Sequence, residues 1–261
     1  MIRIGINGAA GRMGQRVIAL AATDGTFKIV AAIETEKHSQ IGCDAGETAG
    51  ITNIDVPITA DWKQKIDVMI DFSTPKSTEM LIQRCINNGI ALVIATTGIT
   101  PSQHDKLRVA GTQIPVLYSP SMSFAVNMAM KLCQLTAQTF KDQNTDVEIL
   151  EKHHRFKVDA PSGTAAKFAS IISKEMGYNS FQYGRYGNIG ERSRNEIGFH
   201  SVRIGDNPGE HTIMFGLLGE TLEITVKASN RDCYAKGALA AAKFLFGKKP
   251  GFYTMDNVMD L

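Results

Sequence analysis

A chain of 261 residues, of which 43% are hydrophobic, is long enough to bury one large core or two smaller ones. The formal net charge is only +2, from 28 Lys and Arg against 26 Asp and Glu, which argues against nucleic acid or an anionic membrane as a partner. No run of about 18 apolar residues occurs and the first residues lack a secretion-signal pattern, so we expect a cytosolic protein.

Short β-branched runs alternate with longer helical patterns through the first half of the chain. The predicted elements, in chain order, are strand 2–7, helix 12–22, strand 28–34, strand 68–72, helix 77–88 and strand 91–95. These strands are largely apolar, as in a parallel sheet that is covered by helices on both faces. We therefore predict a Rossmann-type, doubly wound α/β domain with a parallel sheet over residues 1–123.

The pattern changes after residue 123. The next predicted elements are helix 124–140, strand 146–151, helix 164–176, strands 196–203, 210–217 and 221–228, and an Ala-rich helix 235–246. These strands and helices predict a smaller α+β domain with a mixed sheet over residues 124–234. The last helix predicts that residues 235–261 return to the first domain.

The first strand runs directly into a glycine turn and a helix start. The segment reads Asn7-Gly8-Ala9-Ala10-Gly11-Arg12-Met13-Gly14. Glycines let this backbone approach a pyrophosphate, and the N–H groups of the helix N-terminus meet its negative charge. The second strand ends in Glu34, 20 residues after Gly14, where a carboxylate can accept hydrogen bonds from a ribose diol. This order of elements predicts a dinucleotide site, and the loops at 71–75 and 95–98 also follow apolar strands.

The densest group of reactive side chains follows the predicted strand 146–151 of the second domain, at residues 151–164. It contains His153, which can exchange protons near neutral pH, and Lys157, which can also donate one. Ser162 then opens a helix whose N–H groups suit a carboxylate. Residues 151–203 hold nine Lys and Arg against five Asp and Glu, a local charge of +4. The segment therefore predicts a small acidic ligand and acid catalysis.

No metal site is expected. Adjacent histidines on a strand point to opposite faces, which disfavours zinc binding by His153 and His154. The spacing of the four cysteines fits no metal motif either; they are Cys43, Cys85, Cys133 and Cys233.

Both chemical segments resemble the dihydrodipicolinate reductase family, and the resemblance extends over the whole chain. The most specific stretch is His153-His154-Arg155-Phe156-Lys157-Val158-Asp159-Ala160-Pro161-Ser162-Gly163-Thr164-Ala165. The resemblance implies NAD(P)H-dependent reduction of 4-hydroxy-tetrahydrodipicolinate to tetrahydrodipicolinate with loss of water, in the diaminopimelate route of lysine biosynthesis. It also implies a homotetramer that assembles through the second domain.

The resemblance further implies roles for individual residues. His153 would be the proton donor and Lys157 the second catalytic donor, while His154, Gly163 and Thr164 would bind a carboxylate of the substrate. The residues implied to contact the cofactor, NADH or NADPH, are Gly8, Ala9, Ala10, Gly11, Arg12, Met13, Glu34, Ala95, Thr96, Thr97, Ser119, Pro120, Ser121 and Met122.

Two positions depart from the family pattern. Ala95 stands where the family usually has a glycine before its threonines. Thr35 and Glu36 follow Glu34, whereas some members have an arginine there that meets the NADP phosphate. We therefore expect NADH to be accepted at least as well as NADPH.

Two other functions remain open at this point. An aldehyde-dehydrogenase-type enzyme would need a thiolate near the nicotinamide. Cys85 and Cys133 lie in apolar helical patterns, where a buried thiol is the ordinary role. A non-catalytic NADH-binding sensor would need only the glycine loop, without the histidine and lysine segment.

Overall fold

A computed structural model describes all residues from 1 to 261, and they form eight helices and twelve strands. In chain order the elements are β1 (Ile2–Asn7), α1 (Arg12–Thr23), β2 (Phe27–Ile33), α2 (Ala45–Thr48), β3 (Ile58–Thr59), β4 (Val68–Asp71), α3 (Pro75–Asn88), β5 (Ala91–Ile94), α4 (Pro101–Ala110), β6 (Pro115–Tyr118), α5 (Phe124–Phe140), β7 (Asp146–His153), α6 (Gly163–Met176), β8 (Ser180–Tyr183), β9 (Glu196–Arg203), β10 (Glu210–Leu217), β11 (Glu220–Lys227), α7 (Asp232–Leu245), β12 (Gly251–Tyr253) and α8 (Met255–Met259).

The chain divides into two compact units. Unit 1 comprises Met1–Phe124 and Arg231–Leu261, and unit 2 comprises Ala125–Asn230. The return to unit 1 begins four residues before the predicted position because α7 starts at Asp232, whose carboxylate pairs with Arg16 on α1 at 2.7 Å. None of the helices combines the length and the apolar character that a membrane crossing needs.

Unit 1 is built on a seven-stranded sheet in which every neighbouring pair is parallel, with strand order β12-β6-β5-β4-β1-β2-β3. Apolar residues are buried on both of its faces. One cluster packs α1 and α7 against the sheet, and a second packs α3 and α4 against the other face. The predicted Rossmann-type, doubly wound architecture is confirmed.

The sequence prediction misses several short elements of unit 1, of which α4, with ten residues, is the longest. In α4 only Leu107 and Ala110 are buried, so the apolar periodicity is too weak to indicate a helix. A local signal is nevertheless present, because Thr100 and Gln103 form a reciprocal capping box at the start of α4.

Unit 2 contains a mixed five-stranded sheet with strand order β11-β10-β7-β9-β8, as predicted for a smaller α+β domain. Strand β10 runs antiparallel to β7 and β11, whereas β9 runs parallel to β7 and β8. Helices α5 and α6 pack on one face of this sheet and form its apolar core.

Strand β7 continues two residues beyond its predicted end and stops at His153. Its alternate residues Val147, Ile149, Glu151 and His153 are buried on the face that carries the core. The buried face of β7 therefore begins with apolar side chains and ends with a carboxylate and an imidazole. Both polar groups lie in the interior of unit 2.

Candidate active site

The glycine turn after β1 has the geometry that a dinucleotide site needs. Gly8 adopts a left-handed φ of +79°, and a Cβ there would lie 2.6 Å from the Phe72 carbonyl oxygen. A Cβ on Gly14 would lie 2.1 Å from the Gly8 carbonyl oxygen, so α1 packs directly on the turn. Gly11 is the N-cap of α1 and supplies no side-chain cap. The first N–H groups of α1 thus lack a side-chain acceptor, which suits a pyrophosphate.

All of the residues implied to contact the cofactor lie in unit 1. The side chains of Ala9, Ala10 and Met122 are buried in its core, so these residues can offer only backbone groups to a ligand. Glu34 follows β2 directly rather than ending it, is half-buried, and accepts a hydrogen bond from the N–H of Thr35 at 2.9 Å. Four of the remaining residues are exposed: Gly11, Arg12, Thr97 and Pro120. Met13 is half-buried. The others are buried: Gly8, Ala95, Thr96, Ser119 and Ser121.

The buried carboxyl group of Asp71, at the end of β4, forms hydrogen bonds with residues at the ends of the neighbouring strands β1 and β5. It accepts hydrogen bonds from Asn7 at the end of β1 at 2.8 Å, from Thr96 after β5 at 3.0 Å, and from Thr78 on α3 at 2.5 Å. Burial raises the pKa of Asp71, and these hydrogen bonds oppose that rise. The sequence prediction noted the loop at 71–75 but did not identify Asp71 as the residue that organises it.

The second site is built at the end of β7 in unit 2. Nδ1 of His153 lies against the carboxylate of Glu151, and the His153 ring meets the ring of His211 edge to face at 5.2 Å. The hydroxyl of Ser162 lies 3.1 Å from Nε2 of His211 and also accepts the N–H of Ala165, so it caps α6. Burial lowers the pKa of His211 to about 4, and the neighbouring His153 adds to that shift. His211 is therefore neutral at neutral pH.

The other predicted residues of unit 2 lie in the loop after β7 and at the start of α6. Nζ of Lys157 pairs with the carboxylate of Asp159 at 2.7 Å. Gly163 and Thr164 form the first turn of α6, where their N–H groups are available to an anion because Ser162 already caps Ala165. His154 follows the strand and is half-buried. The centroid of its ring lies 6.3 Å from that of Phe156.

The local charge of +4 does not form a free basic patch. Arg185 makes two hydrogen bonds to Glu148, at 3.0 and 2.6 Å, and also reaches Glu196. Arg203 makes two to Glu151, at 2.9 and 2.8 Å. Glu151 and Glu196 are already counted in the +4, but Glu148 lies outside residues 151–203. Its pairing with Arg185 therefore lowers the field available to an acidic ligand below what that count suggests.

Three side chains beside His153 were not identified from the sequence: Glu151, Arg203 and His211. Glu151 carried a signal, because an acidic residue two positions before a histidine on a strand shares its face. Arg203 and His211 carried no such signal, because they lie 50 and 58 residues after His153 along the chain. Only the pairing of β9 and β10 with β7 brings them beside it.

Cys85 and Cys133, the two cysteines on predicted helices, do not provide a reactive thiolate. Burial raises the pKa of Cys85 to about 12 and the pKa of Cys133 to about 12. A thiol with so high a pKa stays protonated at neutral pH and is a poor nucleophile. This observation weighs against an aldehyde-dehydrogenase-type mechanism.

Comparison with known proteins gives a consistent result over the full chain. The family described as "Dihydrodipicolinate reductase, N-terminus" matches residues 2–122, and "Dihydrodipicolinate reductase, C-terminus" matches residues 125–259. The chain is 47% identical over 270 aligned positions to a 4-hydroxy-tetrahydrodipicolinate reductase of Rhodopirellula baltica, covering 100% of this chain and 96% of the relative. A reductase of the same name from Hahella chejuensis is 43% identical and is covered completely, as is this chain.

Among solved structures, the chain is similar to a dipicolinate-bound dihydrodipicolinate reductase from Paenisporosarcina sp. TG-14. The TM-score is 0.78 at 26% identity, with 98% of both chains covered. An amine dehydrogenase from Mycobacterium smegmatis has a TM-score of 0.69 at 11% identity, covering 98% of this chain and 95% of that one, and shares the fold.

Proposed function

Because the chain belongs to the dihydrodipicolinate reductase family, it is a nicotinamide-dependent reductase of 4-hydroxy-tetrahydrodipicolinate in the lysine and diaminopimelate pathway, and we propose which of its residues perform the reaction. The observation that carries the assignment is the imidazole of His153, which is buried at the end of β7 and held by a carboxylate beside the N-terminus of α6. In this proposal His153 is the general acid and Lys157 the second donor.

Unit 1 holds the cofactor in this proposal. The turn at Gly8 and Gly11 and the first turn of α1 receive the pyrophosphate, Glu34 accepts from the ribose hydroxyls, and Thr96 and Thr97 border the nicotinamide. Asp71 keeps Asn7 and Thr96 in place through its hydrogen bonds. When bound, the reduced cofactor supplies a hydride to C4 of the substrate after the 4-hydroxyl has left as water.

Unit 2 binds the substrate in this proposal. The relative from Paenisporosarcina binds dipicolinate, a planar dicarboxylate, which supports a dicarboxylate ligand here. The N–H groups of Gly163 and Thr164 and the imidazole of His154 receive one carboxylate. His153 gives one proton to the substrate as the hydride is added, so the sum of the reaction is substrate, NAD(P)H and one proton to product, NAD(P)⁺ and water.

A coupled assay tests the proposed activity. Aspartate semialdehyde, pyruvate and the preceding synthase generate the unstable substrate in place, and the loss of NADH or NADPH absorbance is followed on addition of the protein. We expect oxidation that requires all components. Absence of turnover with both cofactors, in protein that still binds NADH, would favour a non-catalytic NADH-binding sensor.

We expect kcat/KM with NADH to be at least as high as with NADPH. The Glu34 carboxylate accepts from a ribose diol but repels a 2′-phosphate, and Thr35 and Glu36 supply no cation there. Arg12 and Lys37 are exposed and can meet the phosphate in part, so NADPH should also be used. The measurement is the ratio of kcat/KM for the two cofactors. A preference for NADPH beyond about 100-fold, or about 2.7 kcal/mol, would contradict the prediction.

Glu34→Gln gives a matched test of the same point. Its amide can accept fewer hydrogen bonds from the diol, so kcat/KM with NADH should fall while the value with NADPH falls less. Glu36→Gln removes an exposed charge two residues away and should leave the ratio near that of the unsubstituted protein.

We propose a homotetramer that assembles through the sheet of unit 2. Its long helices pack on the face that carries Ile149 and Phe215, whereas Leu150, Thr212 and Met214 lie half-buried on the other face. Apolar side chains on an open sheet face are a common contact between copies of a chain. Light scattering should report close to four times the chain mass of 28.4 kDa.

Thr212→Arg places a charge on that open face, on strand β10 between β7 and β11, and should reduce the measured mass. Ser170→Arg, on an exposed position of α6, is the control and should leave the mass unchanged. A monomer at micromolar concentration in the unsubstituted protein would refute the assembly and leave the chemistry untouched.

A further inference from the structure

Glu151 is a carboxylate with no exposed surface, and it lies on the strand that carries His153. The two residues share a face of β7 because they are two positions apart. An isolated buried carboxylate would be strongly unfavourable, so its partners determine what it can do.

The carboxylate of Glu151 is surrounded by donors on both of its oxygens. Oε2 accepts from Nδ1 of His153 and from Arg203 at 2.9 Å, and Oε1 accepts from Arg203 at 2.8 Å and from the N–H of Ser162 at 3.3 Å. Burial raises the pKa of Glu151, but the hydrogen bonds from His153 and Arg203 outweigh burial and hold it well below the usual range. Glu151 is therefore an anion throughout the neutral range.

The other charged and titratable groups around His153 come from two further strands and from the loop. Arg203 reaches the site from β9 and also donates to the backbone oxygen of Asp159 at 2.6 Å. His211, from β10, is kept neutral by burial. Lys157 and the Asp159 carboxylate form an ion pair in the loop. Of the two histidine rings in contact, only the ring of His153 lies against the Glu151 carboxylate.

We propose that Glu151, clamped by Arg203, is a positioning residue that fixes the His153 ring with Nδ1–H on the carboxylate and leaves Nε2 as the proton-donating atom. The inference rests on the proposed role of His153 as general acid. In the protonated ring both nitrogens carry a proton. When the Nε2–H bond breaks, that proton passes to the substrate, and the neutral ring keeps its Nδ1–H bond to Glu151.

The pH dependence of kcat/KM tests the positioning role. The rate should fall on the alkaline side as the acid loses its proton. In Glu151→Gln the anion is removed, so this alkaline limb should move to lower pH by about one unit or more, with kcat at neutral pH reduced about tenfold. In Arg203→Met the anion remains without its counter-charge, so the limb should move to higher pH. A purely structural role predicts no shift in either variant.

Glu148→Gln is the matched control for the pH profile. Glu148 lies on the same strand but on the other face, and it is also held by an arginine and a histidine, Arg185 and His200. The alkaline limb of kcat/KM for Glu148→Gln should coincide with that of the unsubstituted protein. If the alkaline limbs of Glu151→Gln and Arg203→Met also coincide with that of the unsubstituted protein, the proposal is overturned.

A measurement on the unsubstituted protein keeps the proposal testable if the variants fail to fold. Nitrogen NMR of protein labelled at its six histidines reports which ring nitrogen carries the proton, and the signal lost in His153→Gln identifies His153. We expect neutral His153 to carry its proton on Nδ1, and a proton on Nε2 would overturn the proposal. Retained turnover in His153→Gln would instead overturn the acid assignment, so the two failures are distinguishable.

Discussion

Replacing His153 by Gln should lower kcat by about 10²-fold or more, which is the usual contribution of a general acid. The glutamine amide has a similar reach and can still donate to Glu151, so the strand end should keep its structure. It has no proton that it can release near neutral pH, so the substrate would have to take its proton from Lys157 or from water. The effect should therefore fall on kcat, while the affinity for NADH, which unit 1 is proposed to bind, should be unchanged.

The matched control is His104→Gln. His104 lies on α4 of unit 1, where its ring meets Tyr118 and Phe252 edge to face and its Nδ1 accepts a hydrogen bond from Arg108 at 3.3 Å. This variant should retain kcat within about twofold, as expected for a residue outside the chemistry. Turnover of His153→Gln at the level of His104→Gln would remove His153 from the mechanism.

The second large effect is expected from Gly14→Ala in the glycine turn. A Cβ at this position would lie 2.1 Å from the Gly8 carbonyl oxygen and 2.8 Å from Cα of Ala9. Both atoms belong to the backbone, so the clash is relieved only if α1 moves away from the end of β1. We expect the free energy of unfolding to fall by about 1–3 kcal/mol, the usual cost of overpacking. The affinity for NADH should fall by about tenfold or more, since the N–H groups of α1 shift.

Gly25→Ala is the matched control in the same unit. Gly25 lies in the turn between α1 and β2, has no left-handed φ, and has no atom within 4 Å of an added Cβ. Its unfolding free energy should change by less than about 0.5 kcal/mol, as for an ordinary surface substitution. Both variants are measured by denaturant unfolding and by NADH fluorescence titration. Equal behaviour of the two would show that the tight approach at Gly14 has no energetic importance.

Two of the elements that the sequence analysis missed, α4 and β6, show where local patterns lose information. Helix α4 buries only Leu107 and Ala110, and strand β6 has four residues. Short or weakly amphipathic segments acquire their structure from the sheet that they join, so periodicity alone does not distinguish them from loops.

Local patterns along the chain were sufficient to predict the presence of both sheets, the glycine turn and the segment that carries His153 and Lys157. Strand alternation, helix periodicity and the glycine spacing are short-range properties, and each is set by the geometry of a single element. The bounds of α5, β9 and β10 agree residue for residue with the prediction. The resemblance to the family rested on equally local stretches.

Only the tertiary structure decided which residues of other strands lie beside Glu151 and His153. The parallel register of β7 and β9 pairs His153 with Arg203, and the antiparallel register of β7 and β10 pairs Glu151 with His211. These registers are fixed by the packing of whole sheet faces on α5 and α6, because a shift of one residue would turn every buried side chain to the other face. The placement of Arg203 and His211 beside Glu151 is therefore a property of the assembled sheet, and the sequence around Glu151 does not contain it.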